Sequence, residues 1–293
     1  MTFGDALAYG RSRLHAGEPR DALRLLEHVT GRSYAWLVAH GDELLDHSAR
    51  ARYEAVLDRR ATGEPVAYIA GEAGFYGRRF AVTRDVLVPR PETEELLERA
   101  LAAVRTYAAV GPGEPIRICD VGTGSGVLAI SLALELDAVS VLAVDVSAEA
   151  LAVARRNAEE HGVADRVRFA LGDALDAFSA EAPFAAIVAN LPYVRSGDLQ
   201  AAPDPTAFEP RLALDGGADG LALYRRLLAR APALLAPGGT LLMEAGPDTA
   251  GPLAAASAVA FGEAAEVALH GDYGGRERIV EVHRRVDAKA PRP

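Results

Sequence analysis

Two stretches of this chain carry residue types whose order could do chemistry. The first is Asp120-Val121-Gly122-Thr123-Gly124-Ser125-Gly126, between the apolar run Ile116 to Asp120 and the helix-like VLAISLALEL. Glycines are needed at such a turn because a Cβ would obstruct both the turn and the close approach of a ligand. A nicotinamide enzyme could use GxGxxG in the same place, but here an acid stands directly before the turn. Asp120 favours a cationic sulfonium and its amino group, whereas a pyrophosphate would suffer from a nearby carboxylate. The expected cofactor is therefore S-adenosylmethionine, held by Asp120, Gly122, Thr123, Gly124, Ser125 and Gly126. Asp145, closing the run Val141 to Asp145, is placed to accept hydrogen bonds from both ribose hydroxyls; the plainer alternative is a turn acid starting the next helix. Asp173, two residues after the run Val167 to Leu171, can reach an adenine amino group or simply shape a turn.

The second stretch is Asn190-Leu191-Pro192-Tyr193, after the apolar run that begins at Ala185. An Asn at the carboxyl edge of a sheet offers a neutral side-chain oxygen, and the following Leu191 carbonyl can point the same way. Two such acceptors can hold an NH2 group in line with an activated methyl without presenting a competing nucleophile. Their value is orientation, because a planar neutral nitrogen is a poor nucleophile. Pro192 stiffens the loop, and Tyr193 can cover a planar amide or base. Asn and Pro are also common in turns that do no chemistry.

These stretches need a scaffold, and the order of runs supplies one. Ile116 to Asp120, Val141 to Asp145, Val167 to Leu171, Ala185 to Asn190 and Thr240 to Ala245 read as strands alternating with helices, which implies a mostly parallel sheet covered on both faces. Ser147 is the expected N-cap of one helix and Gly162 its terminator. The expected organisation is a helical domain over 1–62, a hairpin and linker over 63–90, an α/β domain over 91–286 and a tail over 287–293. In the first of these, apolar residues recur at helical spacing but no single helix could bury its own stripe. Pro91 opens a helix with acidic residues in its first turns.

With 293 residues the chain has core enough for one large or two modest domains. A single cysteine excludes an intrachain disulfide framework, and Cys119 reads as a small buried side chain. The formal net charge of -10 discourages indiscriminate nucleic-acid binding, and the paired arginines (Arg59 with Arg60, Arg78 with Arg79, Arg284 with Arg285) read as solvated surface. The seven histidines are dispersed, so no metal is expected, and His161 reads as a helix-end residue. The start lacks an apolar signal-like region, and no stretch is long and apolar enough for a membrane span. The expectation is a soluble cytoplasmic protein.

Longer stretches resemble one family. GEPVAYIAGEAGFYGRRFAVTRDVLVPRPETEEL (from Gly63), DVGTGSGVLAISLA (from Asp120), NLPYV (from Asn190), FEPRLALDGGADGLALYRRL (from Phe208), PGGTLLMEAG (from Pro237) and DYGGRERIV (from Asp272) are similar to the bacterial peptide-chain release factor glutamine methyltransferases. VPRPETE and EPRLALDGGADGL are the most particular, since a generic methyltransferase does not require them. The resemblance implies a Rossmann-like class I methyltransferase fold with a seven-stranded sheet, Ala264 to Leu269 and Arg278 to His283 forming its closing pair. It also implies a small N-terminal helical domain that holds the protein substrate. The implied reaction is methyl transfer from S-adenosylmethionine to the amide nitrogen of the glutamine in the Gly-Gly-Gln motif of release factors. Asn190 to Tyr193 would receive the glutamine, Asn190 would also lie against the methyl-donor end of the cofactor, and Arg90, Glu92 and Thr93 would line or close the pocket.

Three positions depart from the family pattern. Leu191 replaces the first proline of N-P-P-Y, Ala185 stands where members often have an acid, and Ala174, beside the cofactor, stands where many carry an aromatic. NLPY also resembles rRNA adenine dimethyltransferases, which leaves adenine N6 in RNA or DNA as an alternative acceptor. A non-catalytic, cofactor-binding scaffold for translation factors is a third reading. Neither direct sequence-specific nucleic-acid binding nor membrane association is expected.

Overall fold

A computed structural model describes residues 1–14, 20–110, 116–173, 183–272 and 274–286. They form two compact units, one comprising Met1–Ala73, Val82–Arg84 and Gln200–Glu209, the other Gly74–Ala81, Asp85–Leu199 and the residues from Pro210 onward.

Five helices build the first unit: α1 (Phe3–Arg13), α2 (Asp21–Thr30), α3 (Tyr34–Ala39), α4 (His47–Ala61) and α5 (Val66–Ala70). Their ends are set locally. Thr2 and Asp5 form a reciprocal capping box, Ser33 and Asp46 cap α3 and α4, and Gly31 ends α2 in the left-handed conformation. Leu25, Leu26, Tyr53, Leu57 and Ile69 meet in a common core, with the Tyr53 hydroxyl donating to the Ala22 carbonyl at 2.9 Å. The boundary expected at residue 62 falls short of this unit. α5 lies in the segment read as hairpin and linker, and at five residues it is too short for periodicity to reveal.

Buried Glu64 accepts two hydrogen bonds from Arg59 at 2.8 Å and one from Arg84 at 2.6 Å. The Arg59 bonds above all pull its carboxyl from the ordinary 4.5 down to about 2. A depressed carboxylate contributes stability that is complete above pH 4.5 and lost as pH falls towards 2. Both guanidiniums are largely exposed, so screening trims the effect. Glu64→Gln is expected to lower unfolding free energy by about 1–2 kcal/mol at pH 7, with the gap closing near pH 2 in urea melts.

The hairpin strand β1 (Glu72–Phe75) begins in the first unit and ends in the second, which contains β2 (Arg78–Ala81), then α6 (Glu92–Val110), β3 (Ile116–Val121), α7 (Val127–Glu135), β4 (Val139–Asp145), α8 (Ala148–Glu160), β5 (Val167–Leu171), β6 (Phe184–Ala189), α9 (Ala222–Leu234), β7 (Leu235–Glu244), α10 (Pro247–Phe261), β8 (Ala265–Gly271) and β9 (Glu277–Arg284). β3 to β9 form one sheet in the order β5-β4-β3-β6-β7-β9-β8, parallel except for β9, which runs against both neighbours. All seven expected strands are present. β7 starts earlier than expected because Leu235 pairs with Phe184 before an irregularity restores Thr240 opposite Ala186.

Alternation along the strands divides the core. Cys119, Val121, Ile187, Ala189, Leu241 and Met243 pack with α9 and α10, while Ile118, Ala186, Val188 and Leu242 pack with α6 and α7. Cys119 is fully buried, as its apolar setting predicts. Ser147 caps α8 through the Ala150 N–H, and His161 sits at its C-terminal end against the Phe80 ring. Among the described residues, no helix is long and apolar enough to cross a membrane. The expected tail, 287–293, lies outside the described residues.

Candidate active site

Strand order locates the site. From β3 the chain winds outward through β4 to β5, then returns to place β6 on the other side of β3. At such a reversal the loops leaving the two central strands diverge and open a crevice at their carboxyl ends. Val121 pairs with Ala189, so the glycine loop and the Asn190 loop begin side by side. The Gly122 and Thr123 N–H groups both donate to the Val144 carbonyl, at 2.8 and 3.0 Å, which anchors the turn to β4.

The three expected acids behave differently. Asp120 is buried; its Oδ2 accepts from Thr123 Oγ1 at 2.7 Å and from the Ala129 N–H at 3.1 Å, tying the loop to the first turn of α7. Its Oδ1 is buried without a hydrogen-bond partner. Burial pushes this carboxyl up from 3.8 to about 7, and the neighbouring Asp145 charge adds to the rise. The folded protein then holds a proton on Asp120 that the unfolded chain has released, so stability falls as pH rises from about 4 to 7. We expect Asp120→Asn to melt with the wild type at pH 4 and above it at pH 8, by roughly 2–4 kcal/mol, in the cofactor-free protein.

Asp145 ends β4 half-buried, each oxygen accepting one backbone N–H at 2.9 Å, from Gly124 and from Ser147. Burial raises its pKa against those bonds. A carboxylate oxygen takes more than one hydrogen bond, so both retain acceptor capacity. Asp173 is ion-paired with Arg226 of α9, a partner its sequence position did not disclose. Ala174 lies outside the described residues.

Asn190 follows the last residue of β6, and its Nδ2 donates to Thr93 Oγ1 at 3.0 Å. Thr93 Oγ1 in turn donates to Glu244 Oε2 at 2.7 Å, and Tyr193 Oη reaches Glu244 Oε1 at 3.4 Å. Thr93 and Glu244 are both buried. Burial raises the Glu244 pKa, opposed by the Thr93 bond and the Arg278 charge. The Leu191 N–H donates to the fully buried Tyr224 hydroxyl at 3.1 Å, and that hydroxyl also contacts the Glu244 and Leu191 carbonyls. One hydroxyl proton cannot serve both carbonyls. A carbonyl oxygen carries two lone pairs, so the Leu191 oxygen keeps acceptor capacity whichever of the two the proton serves. The Leu191 side chain is buried towards Gly122, where an added Cβ would meet its Cδ2 at 2.8 Å.

The glycine-rich segment from Asp215 to Gly220 braces this loop. Val194 forms a bridge with Asp215, its N–H donating to the Leu214 carbonyl and its carbonyl accepting from the Gly216 N–H. A Cβ on Gly216 would stand 2.6 Å from the Pro192 carbonyl oxygen, and one on Gly220 2.4 Å from that of Tyr193.

The expected residues therefore gather at one crevice: the loop from Gly122 to Gly126, Asp145, and Asn190 to Tyr193. Thr123 and Ser125 are buried, and beyond its chain neighbours nothing lies within 4 Å of a Cβ built on Gly124. Glu244, Tyr224 and Asn157 were not singled out from sequence. Asn157, fully buried in α8, binds the Ser125 carbonyl at 2.8 Å and both backbone groups of Ala81, so it holds the loop from behind. A polar residue on the apolar face of α8 was the available signal. The unpaired Asp120 Oδ1, the Asp145 carboxylate and the open space at Gly124 suit a cationic, ribose-bearing ligand, so the residues present fit S-adenosylmethionine. Among the described residues, no group of three or more His, Cys, Asp or Glu side chains could hold a metal ion.

The chain is similar to known proteins along most of its length. Residues 5–71 match the model described as PrmC N-terminal domain, and residues 113–261 match a methyltransferase domain. The release factor glutamine methyltransferase of Bordetella pertussis is 42% identical over 90% of this chain and 94% of its own. That of Cereibacter sphaeroides is 42% identical over 96% of this chain and 98% of its own. The solved hMettl16 catalytic domain, in complex with a 3'UTR hairpin, shares the fold at 15% identity, with a TM-score of 0.50 over 70% of this chain and 73% of that one. Identity at this level, running through both the helical and the sheet-bearing parts, establishes that the chain belongs to the release factor glutamine methyltransferase family.

Proposed function

We propose that this protein transfers a methyl group from S-adenosylmethionine to the side-chain amide nitrogen of the glutamine in the Gly-Gly-Gln motif of peptide chain release factors. The observation that carries the reading is the pairing of β3 with β6, which starts the loop bearing the neutral Asn190 amide beside the glycine loop. When bound, the cofactor supplies a methyl on a cationic sulfur, which the glutamine nitrogen takes up in a direct displacement.

The residues of the chain perform the rest. Asp145 receives the ribose hydroxyls, Asp120 and the loop from Gly122 to Gly126 receive the amino-acid end, and Asp173 reaches the adenine amino group. Asn190 Oδ1 and the Leu191 carbonyl accept from the glutamine NH2 and aim its lone pair, while Tyr193 covers the amide plane. Neutral acceptors suit this task, since they stabilise positive charge growing on the nitrogen without competing for the methyl. The excess proton leaves to water, so no dedicated base is required. Leu191 in place of proline keeps the carbonyl, the group the chemistry uses. We assign the helical unit to holding the release factor and the protein to the cytoplasm, where that substrate acts.

The test is incubation of purified release factor with this protein and methyl-labelled cofactor, followed by fragment mass spectrometry. One added methyl on the Gly-Gly-Gln glutamine is expected, with no label entering RNA or DNA offered in parallel. Label in adenine but not in the release factor would replace this reading, and cofactor binding without turnover on any acceptor would favour the scaffold alternative.

A further inference from the structure

We infer that Glu244 and Thr93 are positioning residues that lock the Asn190 amide in one of its two flips, so that its oxygen and not its NH2 meets the substrate. The inference rests on the preceding reading that Asn190 receives the glutamine amide.

The argument is one of proton counting. In its ionised form Glu244 can only accept, and its Oε2 lies 2.7 Å from Thr93 Oγ1, so the single hydroxyl proton of Thr93 is then committed to it. What Thr93 still offers is a lone pair. The Asn190 side-chain atom 3.0 Å away must therefore be a donor, which only Nδ2 can be. The reverse flip would set Oδ1 against that lone pair. Thr93 and Glu244 are 3% and 1% exposed, so water has little access to take over either role. Polarity then runs one way along the chain of groups, from the buried charge through the hydroxyl to the amide, and ends on a free acceptor at Oδ1. A glutamine NH2 requires that polarity; with the flip reversed, two NH2 groups would face each other. The second Glu244 oxygen takes the Tyr193 hydroxyl in a long contact of 3.4 Å, so one carboxylate governs both ends of the Asn190 to Tyr193 loop.

This makes a prediction that packing alone does not. Glu244→Gln preserves shape, but a glutamine NH2 can donate to Thr93, which frees the hydroxyl proton to point at Asn190 and stabilises the wrong flip. Thr93→Val removes the relay. Once it is gone, the identity of residue 244 has no route to Asn190. At saturating cofactor, Glu244→Gln and Thr93→Val are each expected to lower kcat on release factor by about 10- to 100-fold. Thr93→Ser, which keeps the hydroxyl, should stay within about threefold of wild type, and the Thr93→Val/Glu244→Gln double variant should be no slower than Thr93→Val. The KM for cofactor should hold in all four, and thermal melts check folding.

Additive losses in the double variant would overturn the proposal, as would Thr93→Ser as slow as Thr93→Val, or an unchanged kcat in Glu244→Gln. The isosteric Glu244→Gln carries the test alone should Thr93→Val not fold. Failure of the wild type to methylate release factor would count against the proposed function. An active wild type with an inactive Asn190→Ala and additive losses would count only against the relay.

Discussion

Asn190→Ala is expected to lower kcat for release-factor methylation by roughly 100- to 1,000-fold while changing cofactor affinity by no more than about threefold. The substitution deletes the side-chain acceptor at the crevice and leaves the Leu191 carbonyl to hold the glutamine NH2 alone. One hydrogen bond restrains position but not rotation, so the nitrogen lone pair spends little of its time in line with the methyl. The glycine loop and Asp145 do not depend on Asn190, since their bonds run to Val144, Ser147 and Asn157. The loss should therefore fall on turnover and spare cofactor binding. Asn190→Asp should be no better. Thr93 has already given its proton to Glu244, so an aspartate at this position would meet a lone pair and add a second charge close to a buried one. Single-turnover kinetics with cofactor affinity from calorimetry would check both variants. A normal rate for Asn190→Ala would remove the basis of the proposed chemistry.

The second large effect is expected at Gly220, which lies outside the residues that touch a reacting group. Its φ is +77°, a conformation that costs an L side chain about 1–2 kcal/mol. An added Cβ would also stand 2.4 Å from the Tyr193 carbonyl oxygen and 2.9 Å from Thr249 Cγ2. The nearer obstacle is backbone and cannot swing aside, so the Tyr193 end of the loop must move. Gly220→Ala is expected to destabilise the protein by about 2–4 kcal/mol and to lower kcat by about 100-fold, since a displacement near 1 Å is enough for a loss of that size. Gly197→Ala is the control. It lies between the same two loops, at ordinary φ, with no atom within 4 Å of its new Cβ, and should match wild type in melting temperature and rate. Equal behaviour of the two variants would mean that the segment from Asp215 to Gly220 does not brace the Asn190 loop.

These two positions differ in how readily sequence discloses them. Asn190 was legible because its meaning is local: an apolar run of strand length, then Asn and a proline, is a pattern contained in a few residues. The strands, the glycine turn, Asp145 and the Ser147 cap are of the same kind, each decided by neighbours within a turn or a strand. The glycines at 216 and 220 were visible as a motif but not as a brace. Their requirement comes from the Pro192 and Tyr193 carbonyls more than twenty residues earlier in the chain. α5 escaped for a related reason, since five residues carry less than two turns of periodic signal.

Sequence by itself determined the alternation of strands and helices, the glycine turn after β3 and the neutral amide at the end of β6, because short-range sterics and hydrophobic period act on adjacent residues. Tertiary structure alone decided which way that amide faces. Thr93 lies 97 residues from Asn190 and 151 from Glu244, and their hydrogen bonds exist only because the sheet order brings the ends of β6 and β7 beside the start of α6. A hydroxyl has one proton, and where it goes depends on a buried partner that no local pattern names.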